Sequence, residues 1–162
     1  MNIEKMTTTM QQALGQAQQI AMVRKHQEID IPHLWKVFIE PNHFARNLYS
    51  DLQVNDKEFE DLIDKELDRI SVVEGQNVQY GQSMSQNLYR LFTEAEKIRE
   101  SFKDDYLSTE VVVLALMELQ NHPLTRYLVQ HHVTKEKLRA RIELLRGGER
   151  VTSQNQEEQY EA

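Results

Sequence analysis

The sequence holds no cysteine. That removes disulfides, thiol nucleophiles and thiolate-ligated zinc at once. It holds five glycines and three prolines in 162 residues. So few breakers suit long helices and few tight turns. The glycines Gly15, Gly75, Gly81, Gly147 and Gly148 cannot form a G-x-x-x-x-G-K-[ST] loop, so the usual phosphate cradle is missing from this stretch. There is no G-x-S-x-G, so no hydrolase elbow. No apolar run nears the roughly 18 residues of a membrane span. Met1 to Met10 lacks a basic segment followed by an apolar one, so it is no signal peptide. These absences point to the cytoplasm. Bases are too few for a nucleic-acid footprint, since the net charge is −7.

What remains is ordinary for one globular domain: 40% apolar and 28% charged. The clearest element is Leu107-Ser108-Thr109-Glu110-Val111-Val112-Val113-Leu114-Ala115-Leu116-Met117-Glu118. Ser108 is a good N-cap, with Glu110 in the first turn where the helix dipole favours an acid. Leu107 and Val112 can close as a hydrophobic staple. The same device occurs at Ile29 to Glu40, with Asp30 as cap and Pro32 in the first turn.

The two devices lie 78 residues apart, as 107 − 29, and the doubling extends along the chain. Met6, Met10, Ala13, Leu14, Ala17 and Ile20 map onto Met84, Leu88, Leu91, Phe92, Ala95 and Ile98. Both sets keep helical spacing. After one inserted residue the offset is 79, and Val54-Asn55 answers to Val133-Thr134. Each half therefore reads as four helices. They are predicted at 7–26, 31–40, 43–52 and 56–69, then 84–101, 109–120, 122–132 and 135–146. The fold class is all-α, with two pseudo-twofold-related four-helix repeats in one domain, 1–146. Repeat one is 1–70, the packed crossing 71–81, and repeat two 82–146. Residues 147–162 read as a polar, disordered linker. Its last residues, from Glu157, could begin another helix, which suggests a piece of a longer protein.

Catalytic and metal chemistry find little footing. His131 and His132 are adjacent and would diverge by about 100° on a helix, so they do not chelate one ion. His122 adds no unifying spacing. Asp104-Asp105 reads as a solvated turn, and the run from Asp56 to Arg69 as a wet helix face. Trp35 reads as core. Val111 to Met117 is apolar all round. The bland reading is a buried central helix, favoured roughly three to one. The sharper reading is a surface groove.

The doubled unit, its caps and its tail resemble the N-terminal domain of Clp-family AAA+ unfoldases over nearly the whole chain. The resemblance rests on Lys5-Met6-Thr7 before Ala13-Leu14-Gly15-Gln16-Ala17, on Val73-Glu74-Gly75, on Asp104 to Glu110, and on Arg146-Gly147-Gly148-Glu149-Arg150-Val151. Protease-linked members carry G-T-E-H at both capped helices. Here the motifs are Asp30-Ile31-Pro32-His33 and Ser108-Thr109-Glu110-Val111. One glutamate of two remains, which favours the disaggregase branch over phosphoarginine recognition.

The resemblance implies a mobile module that meets unfolded or aggregated polypeptide and helps pass it to a ring pore. It implies ATP, Mg and Hsp70-type partners only through AAA+ domains outside this sequence. The fragment itself would be a monomer with no catalysis, no cofactor, no metal, and no nucleic-acid or membrane partner. Substrate handling maps onto Thr7, Asp104 and Glu110, with apolar contacts at Tyr106 and Val111. Thr7 as a plain cap and Glu110 as a plain dipole complement are equally open. Three rival readings stay open too: an adaptor-docking module of a protease unfoldase, a small helical enzyme using Asp104 and Glu110, and a purely structural repeat.

Overall fold

The structure is a computed structural model that describes residues 2–161. Met1 and Ala162 lie outside the described residues. Among the described residues, eight α-helices follow the doubled plan: α1 Thr8–Val23, α2 Ile31–Phe38, α3 Phe44–Asp51, α4 Asp56–Asp68, α5 Gln86–Phe102, α6 Thr109–Ala115, α7 Pro123–Gln130 and α8 Lys135–Arg146. Helix α6 runs on as a 3-10 turn, Leu116–Glu118. Helix α2 stops two residues short of its predicted end, because Pro41 cannot extend it and constrains the residue before it.

The duplication is written in the helix ends. Thr7 and Ser85 accept from the amides of Met10 and Leu88 to start α1 and α5. Asp30 and Ser108 start α2 and α6. His43 and His122 start α3 and α7 through their Nδ1 atoms. Asn55 and Thr134 start α4 and α8. Each pair keeps the 78 or 79 offset, and each satisfies amides that would otherwise lack a partner. The exits repeat as well. Lys25 and Lys103 both take the left-handed conformation (φ 61°) after the first helix of each half. Gln53 and His132 do so after the third. A histidine thus serves where a glutamine serves equally, so the His132 ring is incidental to that turn.

Two features of the backbone were not legible in the pattern. Strand β1 (Glu28–Ile29) pairs in parallel with β2 (Ser83–Met84), placing Ile29 against Met84. A matching bridge joins Met6 to Leu107. In sequence offset, Met6 answers to Met84 and Ile29 to Leu107. Each half therefore holds the entry of the other half's first helix. The hydrogen bonds repeat too: Thr7 N–H donates to Leu107 O at 3.0 Å, and Ser85 N–H to Ile29 O at 2.9 Å. Ser85 also donates its hydroxyl to Asp30 Oδ1 at 2.6 Å, tying one cap to another.

One continuous apolar core fills the space between the halves. Val111 to Leu116 have no exposed surface and Met117 has 7%. Helix α6 is therefore the buried centre, and its surplus apolar side chains line no open groove. Trp35 is equally interior and donates Nε1–H to the Tyr49 hydroxyl at 2.8 Å. The crossing 71–82 turns at Gly81 (φ 64°), where a Cβ would come within 3.1 Å of Gln18 O. Glycine is required there by closeness as well as by backbone conformation.

The segment after α8 departs from the linker expectation. Gly147 closes α8 in the left-handed region. The chain then folds back over the domain to a 3-10 turn at Gln156–Glu161, with Val151, Gln156 and Glu157 buried. A polar composition did not keep it in solvent, because its polar groups find partners on the domain.

Two outcomes follow from these ends. Ser85→Ala removes a cap and also strips Asp30 of a partner. It should cost more than the usual ~0.5–2 kcal/mol of a cap, and more than the exposed cap variant Thr134→Ala, in urea titration. The second concerns His33, which is buried against His26 (Nε2 to Nδ1, 2.8 Å) and closes the Asp30 capping box. Burial holds its pKa down to about 4, helped by the neighbouring His26. A lowered folded value means the contribution is intact above the free-histidine pKa near 6.5 and is lost as pH falls from there towards 4. His33→Gln keeps a box acceptor and should flatten that share of the acid loss in melting temperature. His43, likewise held down to about 4 by burial, should supply much of the remainder.

Candidate functional site

The five residues singled out from sequence sit in one neighbourhood, and four of them face inward. Thr7, Glu110 and Val111 have no exposed surface, Asp104 has 2%, and Tyr106 is half-buried. Direct substrate handling by Glu110, which the resemblance implied, would need an accessible carboxylate, and Glu110 has none.

Its partner is Arg146, at the last turn of α8. The guanidinium grips Asp104 with both terminal nitrogens, Nη1 to Oδ1 at 3.1 Å and Nη2 to Oδ2 at 2.9 Å. Its Nε reaches Glu110 Oε2 at 3.0 Å, and Nη2 also reaches Ser108 Oγ at 3.2 Å. The Phe102 ring lies 4.7 Å beneath it. One arginine thus joins α8, the 103–108 loop and the start of α6. Fork geometry makes arginine suited to such a two-carboxylate site. Burial works against its charge, but Glu110 and Asp104 outweigh burial and hold its pKa above the ordinary value. Asp104 does further work. Its Oδ1 accepts from Val151 N–H at 2.9 Å, and its carbonyl accepts from Arg99 at 2.6 Å.

Sequence reasoning missed Arg146 as a site residue, and it missed Glu157. Arg146 carried a signal: Leu67 stands at its place in repeat one, and a charge replacing a core leucine asks for a partner. Glu157 carried none. Thr109 N–H donates to Glu157 Oε1 at 3.2 Å. The Glu157 carboxyl has no exposed surface and lies beside Glu110. Burial first, and the Glu110 charge second, push its pKa up to about 8, so it carries a proton at neutral pH. Tyr160 packs edge-on to Phe44 of α3, 5.4 Å between ring centres. Among the described residues, Glu110 Oε1, Glu157 Oε2 and the hydroxyls of Tyr127 and Tyr160 are buried without a partner in good hydrogen-bond geometry, although the Tyr160 hydroxyl lies against the Glu110 carboxylate.

Two open apolar surfaces are present among the described residues, a cleft of about 650 Å³ along α7 and one beside Leu107. The latter, of about 470 Å³, runs between the N-terminal turn and α5. Met84, Phe92 and Leu107 form its floor, Tyr89 its exposed wall, and Lys5, Glu96 and Lys97 its rim. No three acidic or histidine side chains among the described residues converge as a metal site. His122 caps α7, and His131 Nδ1 lies 2.9 Å from Tyr127 O.

Comparison with known proteins agrees with this architecture. The family described as the Clp repeat N-terminal domain matches residues 5–131. The chain is 58% identical over its whole length to the chaperone protein ClpB of Lactococcus lactis subsp. cremoris, and 58% to that of Enterococcus faecalis. It spans 19% of the length of each. The Hsp104 N-terminal domain from Candida albicans shares the fold, with a TM-score of 0.75 at 19% identity over 98% of this chain and 99% of that one. So does a ClpV N-domain solved with a VipB peptide, with a TM-score of 0.72 at 18% identity over 88% and 87%. With the doubled helices, the matched caps and a family match across most of its length, the chain belongs to the Clp repeat N-terminal domain family.

Proposed function

We propose that this domain is the polypeptide-binding module of an ATP-dependent protein disaggregase, meeting unfolded or aggregated chains and helping to pass them to a ring of ATPase domains. The observation that carries the reading is the open apolar cleft on α5. Met84, Tyr89, Phe92 and Leu107 offer an apolar surface with charges of both signs at its rim, and such surfaces on folded domains mark binding sites. The resemblance over the full chain to ClpB chaperones supports it. A likeness in fold to a ClpV domain that holds a peptide is consistent with it. The domain itself supplies recognition, and ATP and Mg belong to the ATPase domains of the parent. Its place is the cytoplasm, and by itself it is a monomer.

Reduced, carboxymethylated α-lactalbumin serves as a permanently unfolded probe. Tyr89→Asp and Thr93→Arg should each weaken its binding at least about fivefold, with melting temperature unchanged, because both side chains are exposed. Val129→Asp, on an exposed site of α7, should leave binding alone. A mostly apolar contact should also tolerate added salt. Equal binding by all three variants would remove the cleft from the account.

The buried ion cluster makes a separate expectation. Arg146→Met leaves Asp104 and Glu110 buried without their cation and should cost about 3–5 kcal/mol in denaturant unfolding. Adding Asp104→Asn and Glu110→Gln should recover much of that loss, since neutral groups need no counter-charge. The triple variant should keep α-lactalbumin binding at the cleft.

A further inference from the structure

Residues 151–161 lie on the domain in the manner of a bound peptide. Each of the first contacts has main chain on at least one side. Val151 exchanges hydrogen bonds with the 104–105 loop, its N–H donating to Asp104 Oδ1 and its carbonyl accepting from Asp105 N–H at 2.8 Å. The carbonyl of Gln154 accepts from Thr8 N–H at 2.8 Å, and Gln154 Nε2 donates to Glu4 O at 2.9 Å. Glu157 then enters between Thr7 and Thr109 and takes the Thr109 N–H, and Tyr160 covers Phe44. Val151 is buried but stands outside the contiguous core. The hydrogen bonds from Gln154 Nε2 to Glu4 O and from Thr8 Oγ1 to Asn155 Oδ1 are exposed, whereas those at Val151 N–H and Glu157 are buried. A segment held this way can leave without opening the core.

The pocket beneath has features of its own. It is built from both repeats: Thr7, the cap of α1, and Phe44 of α3 on one side, Thr109 and Glu110 of α6 on the other. Glu110 is fully buried beneath the segment, its carboxylate turned to the Tyr160 hydroxyl. We propose that this pocket is a second polypeptide-binding site, occupied here by the chain's own 151–161 segment, and that its ligand is a stretch bearing a glutamate or glutamine followed three residues on by a tyrosine or phenylalanine. The inference rests on the polypeptide-binding reading and adds to it a ligand pattern and a built-in competitor. It gives Thr7, Asp104 and Glu110 a role that their burial otherwise denies them, since all three lie under or beside the segment.

The charge balance supports a displaceable occupant. The titratable group acting directly on Glu157 is Glu110 on α6, and Tyr160 on the segment itself lies against Glu110, Arg146 of α8 and Glu157. Arg146 is committed to Asp104 and Glu110, so Glu157 seats as the neutral acid with a pKa raised to about 8. Because the seated value is raised, seating is fully favoured below the free-glutamate value near 4.5 and weakens as pH rises towards 8. At its limit the loss is about tenfold per pH unit.

The test uses the 162-residue chain and a fluorescent peptide of residues 151–162 added in trans. Glu157→Lys with Tyr160→Asp should unseat the chain's own segment. That variant should bind the peptide at least tenfold more tightly than the unaltered chain does. A peptide carrying the same two changes should not bind. Glu157→Gln should keep the segment seated and remove its pH dependence between pH 6 and 8.5. The proposal is overturned if the unseated variant binds the peptide no better than the unaltered chain. Should the double variant fail to fold, hydrogen exchange at the Thr109 amide of the unaltered chain decides. Protection should drop at least tenfold from pH 6 to pH 8.5 after correction for intrinsic rates, and constant protection overturns the proposal. Carboxymethylated α-lactalbumin separates the two readings. Equal binding by seated and unseated chains, without peptide binding, leaves the cleft standing and removes this site. Peptide binding with no α-lactalbumin bound to either chain does the reverse.

Discussion

The fold depends on a backbone clasp only a few residues long. Ile29 lies against Met84, and Met6 against Leu107. In each case the residue just before one half's second helix holds the residue just before the other half's first helix. Caps follow at once on all four sides: Thr7, Asp30, Ser85 and Ser108. The clasp therefore sets where α1, α2, α5 and α6 begin and in which direction each leaves. Neither half is closed without the other, because the partner of each short strand lies in the opposite repeat. That explains why α6 is apolar all round. It leaves the clasp straight into the space the two halves enclose, and every side of it meets protein. The doubling is thus interleaved, and the domain is one folding unit rather than two stacked ones.

The two halves differ where chemistry can happen. At the positions of Asp104, Glu110 and Arg146, repeat one has His26, Pro32 and Leu67. Repeat one solves the site with apolar packing and a neutral histidine pair, whose hydrogen bond connects His26 to His33. Repeat two solves it with three charges. Burying charges is costly, and well-packed apolar groups are often as stable or more so. The apolar solution in repeat one shows that the architecture does not require the ionic one. What the ionic version supplies is a set of fixed acceptors: Asp104 Oδ1 holds the Val151 amide, and Glu110 sits under Glu157. The charges organise the surface on which the last segment lies, and repeat one has no equivalent need.

Much of this was legible in the sequence because helices advertise themselves locally. Spacing, caps and the 78-residue offset located all eight helices, and Asp30, Ser108, Asn55 and Thr134 act at the ends where the pattern put them. The parallel clasp was not legible. A two-residue strand has no periodicity to detect, and its partner is set by tertiary structure alone. The apolar run at Val111 was read correctly in its blander sense, as buried core. The burial of Glu110 was not legible, since a first-turn acid next to a cap is ordinarily solvated. Only the distant Arg146 makes its burial tolerable. The last segment was missed for a related reason. Composition describes average solvation, whereas Glu157 and Gln156 are held by individual partners, Thr109 N–H for one and the Arg150 carbonyl for the other.

An occupant tethered to its own site changes what affinity means. Linked through Gly147 and Gly148, the segment competes at an effective concentration on the order of millimolar. A free peptide with the same contacts must therefore reach a comparable concentration before it displaces half of the seated segments. Any measured affinity is reduced by the fraction of molecules whose pocket is open. A single polypeptide carrying one weak match would stay outside. An aggregate, which presents many matches at high local density, would not. On the same reading the open cleft on α5 would bear no such penalty, and it would hold a chain while the second pocket exchanges its occupant. On the proposed reading, two surfaces of unequal availability on one core would discriminate by the density of binding stretches more than by the strength of any one of them.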